Sequence, residues 1–173
     1  MKKNKSTTGV LFITLAALCG CATQSGVVVT ETVGPSGPAP QSQGTTGRLI
    51  VYTATEVPAI VGSRHPTHSA YQLYAADGKR LRWVDNRAGS FYQDPVALDV
   101  PPGRYEVKGR ATNSGNVSVP VLIEAGRTTV VDLEGSALSE NTRYSRQNLV
   151  RLPDGQAIGL EATDAGAKLQ HPN

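Results

Sequence analysis

Few side chains in this sequence are of the types and spacings that do chemistry. Cys19 and Cys21 are the only cysteines in 173 residues, and a thiolate is a strong nucleophile that can be alkylated or can hold a metal. His65 and His68 stand as H-x-x-H, which on a helix would present two ligands to zinc. Here the spacing falls in a loop over residues 61–67 that contains Pro66, and no third ligand lies nearby in sequence. The pair therefore reads as two solvated loop histidines, with His171 in a terminal tail. A serine nucleophile would need a positioned base and an oxyanion donor, yet there is no G-x-S-x-G and the serines cluster in linkers. Asp77, Asp85, Asp94 and Asp99 could in principle pair as acid and base, but each flanks a turn or a strand, and Asp77 suits a hairpin turn. No glycine-rich phosphate loop precedes a helix. These patterns predict no enzyme, no metal site and no cofactor. Phe91 and Tyr92, in a loop beside Arg87 and Gln93, either plug the end of a domain or stand exposed. If exposed, they could stack on a sugar or anchor a protein partner.

The context of Cys21 is the most specific signal. Lys2, Lys3 and Lys5, with no nearby acid, form a positive leader, and residues 10–18 are apolar. That run is well short of the roughly 20 residues a membrane-spanning helix needs, and its flanks are those of a signal peptide. The sequence Leu18-Cys19-Gly20-Cys21 resembles the lipobox of bacterial lipoproteins, with an aliphatic residue, two small residues and a cysteine. The resemblance implies a signal peptide over residues 1–20, lipidation of Cys21 by a diacylglyceryl group and an acyl chain, and anchoring in a bacterial cell envelope. Ala22 is not the Asp that resembles an inner-membrane retention signal, so delivery to the outer membrane is expected. Cleavage removes three lysines and no acid, so 17 basic residues become 14 against 14 acidic ones. A neutral mature chain lacks the basic face that nucleic acid requires. It also keeps only Cys21, so no disulfide supports the fold.

The elements that follow must present whatever surface the anchor holds out. Residues 21–47 are rich in Gly, Ser, Thr, Pro, Gln and Val and read as a disordered tether, reaching roughly 25–30 Å as a flexible coil. Val27-Val28-Val29-Thr30 could pair as a strand, against the tendency of its polar, Gly-rich surroundings. From Arg48 the pattern becomes short apolar alternations between turn residues. Strands are predicted at 49–55, 69–76, 79–85, 94–100, 104–112, 117–123 and 128–133, with hairpin chemistry at Asp77-Gly78. Tyr105, Val107, Gly109 and Ala111 should share one face, opposite Arg104, Glu106, Lys108 and Arg110. Arg80 and Arg82 join these cations on a face that neighbouring acids should balance. Tyr71, Leu73, Leu81, Trp83, Leu98, Tyr105, Val119, Val121, Val131 and Leu133 should fill the core. Pro120 inside a strand pattern predicts an edge or a bulge. Residues 136–162 read as a connector and a short C-terminal hairpin, and 163–173 as a frayed tail.

Tyr71-Gln72-Leu73-Tyr74, Leu98-Asp99-Val100-Pro101-Pro102-Gly103-Arg104-Tyr105-Glu106-Val107 and the run from Val121 to Leu133 resemble prealbumin-like modules. These are the carboxypeptidase regulatory-like and B-repeat types of the bacterial envelope. Over residues 48–135 the resemblance implies a seven-stranded antiparallel sandwich serving as an accessory, non-enzymatic domain. Some B-repeat modules carry a lysine isopeptide crosslink from the first strand. The first strand here has no lysine, so none is expected. The resulting expectation is a lipid-anchored structural or protein-interaction module, with glycan or peptidoglycan binding through loop aromatics as the alternative.

Overall fold

The computed structural model describes residues 26–36, 44–56, 66–86, 94–138 and 148–163. Cys21, His65, Phe91, Tyr92 and His171 lie outside these residues. The described chain is all-β. Its thirteen strands are β1 (Val27–Val28), β2 (Val33–Ser36), β3 (Gly47–Tyr52), β4 (Thr55–Glu56), β5 (Thr67–His68), β6 (Tyr71–Ala75), β7 (Arg80–Val84), β8 (Ala97–Val100), β9 (Gly103–Ala111), β10 (Gly115–Ile123), β11 (Thr128–Asp132), β12 (Leu149–Arg151) and β13 (Ala157–Glu161). All seven strands read from alternation are present, as is the C-terminal hairpin, β12–β13.

Their assembly is not a seven-stranded antiparallel sandwich. Eleven strands form one curled mixed sheet along the path β7-β6-β9-β10-β2-β11-β3-β8, with β1 also on β10 and β13 on β2; β4 and β5 form a separate ribbon. β3 runs parallel to β11, and both β1 and β2 run parallel to β10. Turn chemistry fixes antiparallel pairing only between strands adjacent in sequence. Thus Asp77 accepts the Lys79 N–H at 2.9 Å and Gly78 takes φ +82° to join β6 to β7, a conformation that suits glycine. Pairings between distant segments carry no such local signature.

The largest departure lies in residues expected to be tether. β2 belongs to both halves of the curled sheet: Val33 pairs with Val121 of β10 on one side and Glu161 of β13 on the other. Two residues later, Pro35 and Ser36 pair with Thr129 and Thr128 of β11. Val33 is fully buried and Val29 nearly so. A Cβ on Gly159 of β13 would run into the Val33 side chain, so a residue without a side chain lets the two strands close up. The Val27–Val29 run that its surroundings argued against does pair, with Val27 opposite Val117.

Pro120 is also not at an edge. β10 is flanked by β9 throughout, and Pro120 faces Glu106 in that ladder. The Val29 N–H donates to the Ser118 carbonyl at 2.9 Å, so even-numbered residues of β10 turn their backbone groups toward β1 and β2. Pro120 therefore places its missing N–H where the partner changes from β1 to β2, and no ladder bond to β9 is lost. The core is aliphatic around one tyrosine, with Leu49, Val51, Tyr71, Leu73, Val107, Val119, Val121, Val131, Leu133 and Ile158 all buried. Leu81 and Trp83 are not among them. A version of the protein beginning at Arg48 should melt far below one beginning at Ala22, because it lacks β1 and β2. Loss of Val33 burial alone removes about 1.5–3 kcal/mol, and coincident thermal melts of the two would argue that β2 is dispensable.

Candidate functional site

The buried polar groups are structural. His68 is 4% exposed rather than solvated, because β5 pairs with β4, setting it opposite Thr55. Its Nδ1–H donates to the Thr53 carbonyl at 2.7 Å, and its ring meets that of Tyr52 edge-on at 5.8 Å. Beside it the Asn86 amide donates to the Val51 carbonyl at 2.7 Å and to Thr53 Oγ1 at 3.2 Å, while its oxygen accepts the Val96 N–H at 2.9 Å. The Thr53 hydroxyl donates to the Ser69 carbonyl at 2.6 Å. This network pins the end of β3 to the segments entering β6 and β8. Among the described residues no group of three or more His, Cys, Asp or Glu side chains converges as a metal site.

Asp132 is the one buried carboxylate among the described residues. Its Oδ1 accepts the Gly135 N–H at 2.7 Å and its Oδ2 the Leu138 N–H at 2.9 Å, so it closes the turn after β11 and offers no free oxygen edge to a substrate. Burial pushes its pKa above the usual carboxylate value, against the pull of these N–H donors.

The opposite, outward face of the sheet is where a site is built. Trp83, Gln72, Lys108, Ser118 and Val28 stand in register across β7, β6, β9, β10 and β1. A groove of about 520 Å³ runs along this row, between Trp83 and the β1 segment, and Arg110 and Asn116 also line it. Its floor is pre-ordered. The Tyr74 hydroxyl donates to Gln72 Oε1 at 2.6 Å, and the Lys108 ammonium lies 4.6 Å from the centre of the Tyr74 ring, a cation–π distance. Glu106 accepts from the Ser118 hydroxyl at 2.6 Å and lies 3.4 Å from Lys108 Nζ. Lys108 is thus engaged on the outer face, as its place in the alternation predicts.

Trp83 is 58% exposed and Leu81 48%, although both are expected in the core from their apolarity. The register decides otherwise. Tyr71 and Leu73 face the core, and their partners on β7 are Val84 and Arg82. Side chains alternate across a strand, so Trp83, opposite Gln72, must face outward, and Leu81 falls at the irregular step between Arg80 and Arg82. Arg82 then lies near Tyr71, whose hydroxyl is pushed up to about 12 by burial, with the Arg82 charge opposing the shift. Nothing local in the sequence signalled this: the pairing next to the Asp77-Gly78 turn, carried on unbroken, would set Leu81 opposite Leu73 and Trp83 opposite Tyr71, and the irregular step shifts both.

The cationic face is only partly balanced, and Arg82, expected on it, lies on the other face opposite Leu73 because of the irregular step. Lys108 pairs with Glu106, Arg110 with Glu56, Arg48 with Asp99 and Arg127 with Glu124. Among the described residues no carboxylate pairs with Arg80 or Arg82. Compared with protein-family models, curated proteins and solved structures, the chain gives no match. No helix among the described residues is long and apolar enough to cross a membrane.

The Asp132 assignment has a pH signature. A carboxyl whose folded pKa is raised binds its proton more tightly in the folded state. Its contribution is therefore fully present below the unfolded value of 3.8 and is lost as pH rises through the folded pKa. Denaturant titrations from pH 7 to pH 4 should show the native protein gaining stability relative to Asp132→Asn as pH falls. A constant difference between the two across that range would contradict the raised pKa.

Proposed function

We propose that this chain is a non-enzymatic, lipid-anchored protein of the bacterial envelope, most consistent with the outer membrane, whose β-domain holds a partner protein against the face bearing Trp83. The observation that carries the docking face is Trp83 itself. It is the only tryptophan in the chain, it is more than half exposed, and it sits on a strand above a floor already fixed by hydrogen bonds. Aromatic anchors of this kind dominate protein interfaces, and a pre-ordered floor lowers the entropic cost of docking. The anchor rests on the sequence over residues 1–21, where leader, apolar run and cysteine fall in register. The domain is read as a variant of the prealbumin-like module, supported by the seven strands in their expected places, with β2 inserted between the two halves. Phe91 and Tyr92 remain candidate contacts outside the described residues.

A second reading, glycan or peptidoglycan binding, is favoured by the lining of the groove. Gln72, Asn116 and Ser118 offer amide and hydroxyl groups beside an aromatic face, the combination that sugar rings engage. Soluble murein fragments that shift Trp83 fluorescence at millimolar concentration or below would select it over a protein partner.

Two outcomes test the main reading. Cys21→Ser should abolish incorporation of labelled fatty acid and move the protein from the detergent to the aqueous phase on Triton X-114 partitioning; unchanged partitioning would refute the anchor. Photocrosslinking in intact cells from position 118 should trap a discrete protein adduct. Trp83→Ala should weaken that adduct in line with loss of about 2 kcal/mol or more, the usual size for an anchoring aromatic. An adduct of equal yield in the variant would rule out the Trp83 face.

A further inference from the structure

We infer that the partner is held by strand addition, with an extended acidic segment of a protein pairing along the free edge of β7. This rests on the protein-docking reading above and specifies the chemistry of the docked element. β7 ends the sheet path, with β6 on one side and no strand on the other among the described residues. In an antiparallel pair alternate residues turn their N–H and C=O away from the neighbour, so β7 offers part of its backbone to an incoming strand. Four of its five residues are exposed.

The other ends of the sheet are less open. β8 has four residues and runs straight into Pro101-Pro102, with Asp99 paired to Arg48. β12 has three residues and a register shift, and the Arg151 guanidinium folds back onto the Gly155 carbonyl at 2.7 Å. Edges are commonly blunted by charge, proline or irregularity. β7 carries charge and an irregular step, but it also exposes Leu81 and Trp83, which a merely protected edge has no reason to present.

Charge selects the occupant. Arg48, Lys108 and Arg110 on strands, and Arg127 in the turn before β11, each have a carboxylate partner, whereas Arg80 and Arg82 on the edge strand have none among the described residues. A second copy pairing β7 with β7 would set these arginines against their own counterparts, and like charges opposite one another destabilise a ladder. Arg80 shares the face of Tyr74 and Arg82 that of Leu73, so a strand with acids on both faces neutralises both arginines and lays an apolar residue against Trp83.

The test uses the mature protein and a set of synthetic extended peptides about eight residues long, a common strand length. In each, valine or threonine is interspersed with acidic, neutral or basic residues placed on both faces. Trp83, as the single tryptophan, reports binding by its fluorescence, and hydrogen exchange reports protection of the β7 amides. Affinity should rise with the number of acidic residues, should fall as salt is added, and should drop at least tenfold in Arg80→Glu/Arg82→Glu while Arg80→Lys/Arg82→Lys retains it. An acidic peptide N-methylated at alternate residues should lose binding. Acidic peptides binding no better than neutral ones, or binding without protection of residues 80–84, would overturn strand addition. If the adduct trapped from position 118 still depends on Trp83 in that case, the docking face stands and only the mode falls. If that adduct is equally insensitive to Trp83→Ala, both fall.

Discussion

The position of Val33 is the constraint on which this fold turns. A curled sheet made of two halves needs something to join them, and here a single short strand does so. Val33 satisfies β10 and β13, while Pro35 and Ser36 satisfy β11. With no cysteine among the described residues, this backbone sharing and the burial around it do what a crosslink would otherwise do. The closeness of β13 depends on the missing side chain at Gly159, because a Cβ there would run into the Val33 side chain. The C-terminal hairpin is thereby tied into the sheet through the same strand.

The outward face inherits its geometry from that core. Once Tyr71 and Leu73 are committed inward, the parity of β6 fixes Gln72 and Tyr74 outward, and the ladder fixes Trp83, Lys108 and Ser118 in one row. β1 sits at the far end of the row because the chain on its way into β2 first lies along β10. The strand that joins the two halves therefore also positions one wall of the groove. A docking surface on paired strands is stiffer than one on loops, which suits the holding role proposed for this domain.

Much of the local structure was legible because it has a period of two. Strands β3, β6, β7, β8, β9, β10 and β11, and the β12–β13 hairpin, announce themselves by alternation, and Gly78, Gly115 and Gly155 mark turns where φ is positive. β2 was hidden because Val-Gly-Pro-Ser has the composition of a linker, and a single buried valine is too little for any periodicity. β4 and β5 are two residues each, below the length at which a pattern exists. The candidate site moved for a related reason. Apolarity suggested that Leu81 and Trp83 belong inside, but apolarity does not say which face of a strand meets the core.

The sequence alone, then, determined the class of fold and the places of its longer strands and turns, and residues 1–21 carry the pattern on which the proposal of a lipidated leader rests. Those features are local: charge, run length, alternation and turn chemistry act between residues close in the chain. The tertiary structure decided which distant strands become neighbours, that His68 is buried in a polar network, and that Trp83 faces outward on an edge strand whose two arginines meet no carboxylate among the described residues. Each of these depends on long-range register, and register is set by which side chains pack together rather than by any segment on its own.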